Sequence, residues 1–164
     1  NLLIRNINYW TKFEPRHNGI YYTEYTQQNK ILDSMRLRSV QLEYLCGIYD
    51  IDSNTLIGQI SLYAIKRLPF SSCFIGYALD EQSVGRGITS EAVQLMVHFA
   101  FEHLQINRVE AYVSPQNTAS IRVLEKTGFL REGLLKELLY INGYWEDHYL
   151  YAITKTKYET DLGN

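Results

Sequence analysis

The sequence predicts a mixed α+β domain whose central, mostly antiparallel twisted sheet carries one parallel strand-helix-strand unit and flanking helices. Three observations support this fold class. Residues 41–79 alternate between apolar and polar side chains, as antiparallel strands do. Two glycines, Gly85 and Gly87, join the last of these strands to a helical pattern and a short apolar strand. Asn142 and Gly143 lie between two further alternating segments and indicate a hairpin turn.

The front of the chain predicts two helices and a three-stranded meander. Apolar residues within 2–10 suit a short helix or the end of one, and residues 23–38 set an apolar stripe against a Gln-rich side. The stripe consists of Tyr25, Ile31, Leu32 and Met35. Period-two alternation then predicts the strands of the meander, which are 41–49, 57–65 and 73–79.

The second half of the chain predicts a parallel unit followed by a helix and a hairpin. A helix at 89–103 separates strand 73–79 from a strand at 108–113, so the two strands should be parallel neighbours joined by a right-handed crossover. The glycine turn then lies at the carboxyl end of its strand, where ligands bind in open α/β sheets. The remaining elements are a helix at 117–127 with Gly128 as its C-cap and hairpin strands at 134–141 and 144–153.

Length and composition limit the classes of protein. The 164 residues, 46% of them apolar types, suffice for one core, so we expect a single domain over 1–164. A formal net charge of −2 argues against a direct nucleic-acid partner, and the apolar segments are too short for a membrane partner. Cys46 and Cys73 lie in apolar segments without Cys-x-x-Cys spacing, which predicts buried free thiols, a reducing cytoplasmic location and no metal site. The absence of an initiating Met suggests that the encoded product continues upstream.

The segment 82–92 has the chemistry of a phosphate site. Gly85 and Gly87 permit a sharp backbone turn, and the free N–H groups and peptide dipoles of the following helix attract anions. The spacing fits neither the triphosphate P-loop nor the dinucleotide fingerprint, because Ser90 stands three residues after Gly87 and no Lys follows the second glycine. The pattern that remains is Gln-x-x-Gly-x-Gly. A strand-to-helix turn without a ligand, or another nucleotide-phosphate site, is the alternative.

Two matched blocks resemble the GCN5-related N-acetyltransferase (GNAT) family. The first is the Gln-x-x-Gly-x-Gly loop, and the second is the segment 114–133. The residues of the second block that match are Asn117, Ser120, Lys126, Gly128 and Phe129. Together with the closing Tyr-Ile-Asn-Gly-Tyr-Trp-Glu-Asp, they are similar to the RimJ/RimL branch, which acetylates the N-termini of ribosomal proteins. The resemblance covers 13–153 and leaves the family's opening strand to be expected upstream.

The resemblance implies that acetyl-CoA is the co-substrate, without a metal, and that the acetyl group passes directly to a primary amine. The acceptor it implies is the N-terminal α-amino group of a ribosomal protein; a polyamine, an amino sugar or antibiotic, and a catalytically silent acyl-CoA-binding module are the alternatives. A monomer or a homodimer is expected. The residues expected to bind the coenzyme are Tyr77, Leu79, Gln82, Gly85, Arg86, Gly87, Ile88, Thr89 and Asn117.

The resemblance also assigns catalytic residues. Ser120 matches the residue that protonates the departing thiolate. An α-amino group, with a reference pKa of about 7.7 to 8.0, is largely protonated at neutral pH and gains from a base. Where the resembled enzymes can carry a glutamate just before the Tyr-x-Asn-Gly turn, this chain has Leu139, and Glu137 is the carboxylate two residues earlier on the same expected strand face. We therefore expect Glu137 to be the base. Further candidates are Glu146, Asp147 and His148.

Overall fold

The computed structural model describes residues 2–163 and, within them, every side chain except that of Leu162. The helices are α1 (Leu2–Trp10), α2 (Glu24–Ser39), α3 (Ile88–Glu102), α4 (Thr118–Lys126) and α5 (Lys155–Leu162). The strands are β1 (Tyr44–Asp50), β2 (Thr55–Lys66), β3 (Ser72–Leu79), β4 (Arg108–Val113), β5 (Leu130–Ile141) and β6 (Tyr144–Thr154). Short 3-10 turns occupy Gly19–Tyr22 and Glu81–Ser83.

The six strands form one mixed sheet in the order β1-β2-β3-β4-β6-β5. The pair β3 and β4 is parallel, with α3 as its crossover, and the other neighbouring pairs are antiparallel. The predicted fold class and the predicted parallel unit are therefore confirmed. No helix among residues 2–163 combines the length and the apolar character that crossing a bilayer requires.

The core lies between the sheet and one face of α3. The six apolar positions that recur at helical spacing in this helix are all buried, namely Ala92, Val93, Met96, Val97, Ala100 and Phe101. They pack with strand residues such as Leu62 and Val109, which are inaccessible to solvent. This burial of a complete helix face removes much apolar surface from water and fixes α3, with the turn before it, against β3.

Helix α2 lies where the sequence predicts it, but its apolar stripe is largely exposed. Ile31 and Met35 of its apolar stripe are 56% and 63% exposed, and its single fully buried side chain is Ser34. Periodicity predicts a helix correctly without showing that a partner covers its apolar face. Cys46 is a second correction: it is exposed, whereas Cys73 is buried and burial raises the pKa of the Cys73 thiol to about 12. The cause is the position of β1 at the sheet edge.

Two features of the carboxyl-terminal part leave no regular pattern in the sequence. Strand β5 starts at Leu130 rather than at residue 134, and its ladder with β6 is interrupted between Arg131 and Gly133 and between Leu135 and Leu139. Such bulges disturb the period-two pattern that identifies a strand. Helix α5 is short and polar, with Thr154 as its N-cap accepting from the Lys157 N–H, so it lacks the apolar spacing that the prediction relied on.

Side-chain hydrogen bonds attach α1 to the end of β3. Asn6 is buried, donates from Nδ2 to Asp80 Oδ1 over 3.1 Å and accepts from the Glu81 N–H over 2.9 Å. Arg5 forms an ion pair with the same Asp80. These partners are more than seventy residues apart in the chain. They bring the front of the molecule to the strand that precedes the glycine turn.

Candidate active site

The site begins where the parallel strands separate. Within residues 2–163, the ladder between β3 and β4 ends at the pair Phe74 and Glu110, although β3 continues to Leu79. The Asp80 N–H donates to the Ile57 carbonyl over 2.7 Å, so Asp80 and Ile57 form a hydrogen-bonded pair of the antiparallel β2–β3 ladder. Hydrogen-bonded and non-hydrogen-bonded pairs alternate along such a ladder. The main-chain groups of Tyr77 and Leu79 then point away from β2 and into the gap. Trp10 donates from Nε1 to the Leu79 carbonyl over 2.9 Å at this edge.

The gap opens into a cavity of about 440 Å³ that four parts of the chain surround. The end of β3 contributes Tyr77, Ala78 and Leu79. The turn and α3 contribute Val84, Gly85, Gly87, Ile88, Thr89 and Ser90. Helix α4 and its cap contribute Asn117, Ala119, Ser120, Arg122, Val123 and Lys126. The front of the chain contributes Tyr9, Trp10, Phe13 and Glu14.

The glycine turn depends on backbone conformation. Gly85 and Gly87 have φ angles of 79° and 81°, and Gly87 is the left-handed N-cap of α3 without a side-chain cap. A Cβ at either position would meet no atom within 4 Å, so the positive φ, rather than crowding within the protein, requires glycine here. The first N–H groups of α3 lie beside the cavity without intrahelical partners. They form the anion-attracting end that the sequence predicts.

Two of the residues predicted to bind the coenzyme lie outside the lining of this cavity. Arg86 is exposed and directs Nη2 to Asp50 Oδ2 at 3.5 Å, across the turn at the end of β1. Gln82 is exposed and its main-chain N–H donates to Asp80 Oδ1 over 3.3 Å. Thr89 is half-buried in the lining and is not the helix cap, because Gly87 occupies that position.

A pair of hydroxyl groups lies on the α4 side of the cavity. Asn117 is the N-cap of α4, and its Oδ1 accepts from the Ser120 N–H over 3.1 Å. Ser120 Oγ is 2.8 Å from Tyr77 Oη, so the two hydroxyls share a hydrogen bond. Burial raises the pKa of Tyr77 to about 12, against a smaller opposing effect of the Ser120 hydrogen bond. The phenol therefore keeps its proton at neutral pH and can donate it to Ser120.

Glu137 lies apart from this hydroxyl pair. It borders a second depression together with Ser114, Trp145, Glu146 and Asp147, and it is absent from the lining of the first cavity. The regular alternation that would place Glu137 and Leu139 on one face is interrupted here, because the ladder is irregular between Leu135 and Leu139 and Glu137 has a φ of 50°. Its N–H donates to Asp147 Oδ1 over 2.9 Å.

The other charged candidates from the hairpin are also outside the first cavity. Glu146 and Asp147 border the second depression, and Asp147 forms an ion pair with Lys136 that lowers the pKa of the Asp147 carboxyl. His148 is buried, with Nδ1 3.2 Å from the Glu146 carbonyl oxygen. The hairpin thus brings its polar residues together beside residues 114–116 rather than beside Ser120.

Glu14 is the carboxylate that the structure adds to the site. It follows α1, and its N–H donates to the Trp10 carbonyl over 3.1 Å. Desolvation raises the pKa of the Glu14 carboxyl, and the charge of Lys30 opposes this in part. Periodicity carries no sign of this residue, because it lies in a loop. The one sequence signal is that Glu14 is the single acidic residue among the first 23.

The loop that carries Glu14 is held by the tip of the β5–β6 hairpin. Asn142 donates from Nδ2 to the Thr11 carbonyl over 2.9 Å, and its Oδ1 accepts from the Arg16 N–H over 3.0 Å. The two-residue turn was predicted, and Asn142 and Gly143 adopt the positive φ angles of 52° and 102° that such a turn needs. Its contact with the front loop was not predicted, since it links residues 126 and 131 positions apart.

Comparison with known proteins agrees with this architecture. Residues 5–130 match the family model described as an acetyltransferase (GNAT) domain. The probable N-acetyltransferase YjcK of Bacillus subtilis is 40% identical over 148 residues, which cover 90% of this chain and 82% of that protein. The ribosomal protein uS5-alanine N-acetyltransferase of Escherichia coli is 32% identical over 108 residues, 66% of this chain and 56% of the enzyme. The chain thus aligns with just over half of that enzyme's length.

Solved structures extend the similarity to nearly the whole chain. A ribosomal-protein-S5-alanine acetyltransferase from Vibrio fischeri superposes with a TM-score of 0.90 at 32% identity, covering 94% of this chain and 84% of the other. RimJ of Mycobacterium smegmatis, solved in complex with CoA-disulfide, gives a TM-score of 0.88 at 27% identity and covers 95% and 75%. A family match over residues 5–130, with relatives this similar in sequence and in fold, makes the chain a member of the GNAT acetyltransferase family.

Proposed function

We propose that this acetyltransferase moves the acetyl group of acetyl-CoA directly to the N-terminal α-amino group of a protein. The observation that carries the proposal is the junction of three features in one cavity: the glycine turn, the separated end of β3, and the Ser120–Tyr77 hydroxyl pair. Each supplies one requirement of acyl transfer from a thioester. These are an anion site, main-chain groups that can pair with an extended arm, and a proton donor.

The chemistry of the cavity fits the coenzyme. The N–H groups at the start of α3, ordered by the positive φ of Gly85 and Gly87, suit a diphosphate. The main-chain groups of Tyr77 and the Leu79 N–H face the gap and can pair with an extended amide-containing arm as a missing strand would. The Leu79 carbonyl already accepts from Trp10. Neutral N–H donors also stabilise negative charge that develops on a thioester oxygen, an effect worth about 3 kcal/mol where a comparable donor has been removed.

Ser120 is the proton donor to the departing sulfur in this proposal. Its N–H is fixed by Asn117, which holds the residue in the first turn of α4. Its hydroxyl can accept from Tyr77 and donate to the thiolate at the same time, because a hydroxyl carries one donor and two acceptor sites. The raised pKa of Tyr77 keeps a proton available for this relay.

A protein N-terminus is favoured as the acceptor by the relatives. Both the Escherichia coli and the Vibrio fischeri proteins, each 32% identical to this chain, are named as acetyltransferases of ribosomal-protein alanine. A spermidine N-acetyltransferase of Vibrio cholerae shares the fold at 20% identity, with a TM-score of 0.74. A small polyamine is therefore the alternative acceptor to test first.

The decisive experiment is an assay of thiol release from acetyl-CoA with three acceptors: peptides with a free N-terminal alanine or serine, the same peptides with a blocked N-terminus and an internal lysine, and spermidine. We expect release with the free peptides alone and a mass increase located at the N-terminal residue. Turnover of spermidine without turnover of peptides would replace the proposed acceptor. Binding of acetyl-CoA in a calorimeter without turnover of any amine would indicate a silent binding module.

A further inference from the structure

The proposed transfer needs a base that the hydroxyl pair does not supply. An α-amino group is mainly protonated near neutral pH, and only its neutral form has the lone pair that attacks a thioester. Among the described residues that line the cavity, Glu14 is the sole carboxylate. Resting on the proposed function, we propose that Glu14 is the general base that accepts the proton of the acceptor amine.

The position of Glu14 is fixed at both ends of its loop. On one side its N–H bonds to Trp10, whose indole is itself bonded to the Leu79 carbonyl at the edge of the gap. On the other side Asn142 holds Thr11 and Arg16, which flank Glu14 in sequence. A base held by its backbone in this way loses less freedom when the substrate arrives, which is the advantage of a preorganised site.

The electrostatic surroundings favour proton acceptance. The charged groups beside Glu14 are Lys30 of α2 and, within the same cavity, Arg122 and Lys126 of α4. Desolvation outweighs the charge of Lys30, so the pKa of the Glu14 carboxyl moves upward, toward that of an amine, which improves proton transfer. The residue nevertheless keeps solvent exposure, and that gives the accepted proton a route to water.

The protons and electrons of the step balance without a further reactant. The nitrogen lone pair forms the new C–N bond, the C–S bond breaks, and its electron pair stays on sulfur. The neutral amine forms when the ammonium gives one proton through Glu14 to water. After the C–N bond forms, the nitrogen loses a second proton to the Glu14 carboxylate, while sulfur gains one from Ser120; Tyr77 reprotonates Ser120 and regains a proton from water. Glu14 then releases its proton to water. Starting from the protonated amine, the net products are the acetylated amine, the free thiol and one proton in the solvent.

The test compares Glu14→Gln with Glu137→Gln, which removes the carboxylate outside the cavity. At neutral pH we expect Glu14→Gln to lower kcat/KM for a free N-terminal peptide by about 100-fold, the lower end of general-base effects. The affinity for CoA, measured by calorimetry, should stay within about twofold, because that affinity depends on the turn and β3. Glu137→Gln should match the parent in both measurements.

Two series make the result specific to proton transfer. The defect of Glu14→Gln should shrink as the pH rises above the pKa of the amine, since solvent then removes the proton. It should also grow across acceptors of increasing amine pKa at fixed pH. Retained kcat/KM in Glu14→Gln, a pH-independent loss, or a loss in Glu137→Gln instead would overturn the assignment of Glu14. A parent enzyme that acetylates no amine would overturn the proposed function itself, and this outcome is distinct because it needs no variant.

A stability measurement checks that Glu14→Gln folds like the parent. The folded-state pKa of Glu14 is raised, so the ionised carboxylate disfavours the folded state at pH values above that pKa, and the penalty disappears as the pH falls through it. Glu14→Gln removes the ionised group and should leave Tm at pH 7 equal to or above that of the parent. A clear fall in Tm would contradict the raised pKa of the Glu14 carboxyl.

Discussion

Two regions meet at the cavity and are built in different ways. The side formed by β3, the glycine turn and α3 rests on a fully buried helix face and offers mainly main-chain groups. The front, from α1 to α2, leaves Ile31 and Met35 exposed. Side-chain hydrogen bonds of Asn6, Trp10 and Asn142 attach it to the end of β3 and to the hairpin tip. Loops tolerate change better than a packed helix. The side formed by β3, the glycine turn and α3 can therefore stay constant while the front changes with the acceptor.

The largest expected effect tests the proposed roles of Ser120 and Tyr77, whose hydroxyl groups share a hydrogen bond in the cavity. Ser120→Ala should lower kcat about 100-fold because the departing sulfur loses its proton donor, and Tyr77→Phe should lower it about tenfold. The double variant should be no slower than Ser120→Ala, since both residues form one relay. The measurement is steady-state thiol release. Additive losses in the double variant would separate the hydroxyls, and an unchanged kcat in Ser120→Ala would remove Ser120 from the mechanism.

A smaller effect is expected from the glycine turn. Gly87→Ala forces a residue with a Cβ into a left-handed conformation, which costs about 1–2 kcal/mol, so CoA affinity should fall about tenfold. Gly19→Ala is the matched control, because a Cβ there also meets no atom within 4 Å but the backbone is not left-handed. Calorimetry with CoA measures both. Equal affinities in the two variants would refute the conformational role of Gly87.

The smallest expected effect concerns the attachment of the front loop. Asn142→Ala removes both hydrogen bonds to that loop and should lower kcat/KM for the amine about fivefold, which corresponds to about 0.5 kcal/mol for each of two exposed hydrogen bonds, with CoA affinity unchanged. Asn54→Ala is the control, since Asn54 has nearly the same positive φ, 51° against 52°, in a turn between other strands. If CoA affinity falls in parallel with kcat/KM, the two sides of the cavity are not independent.

The same contrast explains how far the sequence could predict the structure. The antiparallel meander, the helix α3, the parallel unit and the hairpin turn follow from local patterns, and the structure confirms them. The Gly85–Gly87 turn is equally local. The remaining features depend on contacts between distant residues. Periodicity does not reveal the contacts of Asp80 with Asn6, of Leu79 with Trp10 or of Asn142 with Arg16. It also does not reveal the irregular ladder of β5 beside Glu137.

The two hydrogen bonds between Asn142 and the front loop have a consequence for redesign. One amide side chain satisfies the Thr11 carbonyl and the Arg16 N–H together, so the hairpin tip and the loop it holds form a matched set. A transplanted loop of different length or conformation would move these two backbone groups out of reach of Asn142. Exchange of the front loop in this scaffold is therefore expected to succeed when residues 11–16 and the turn at 142–143 are moved together.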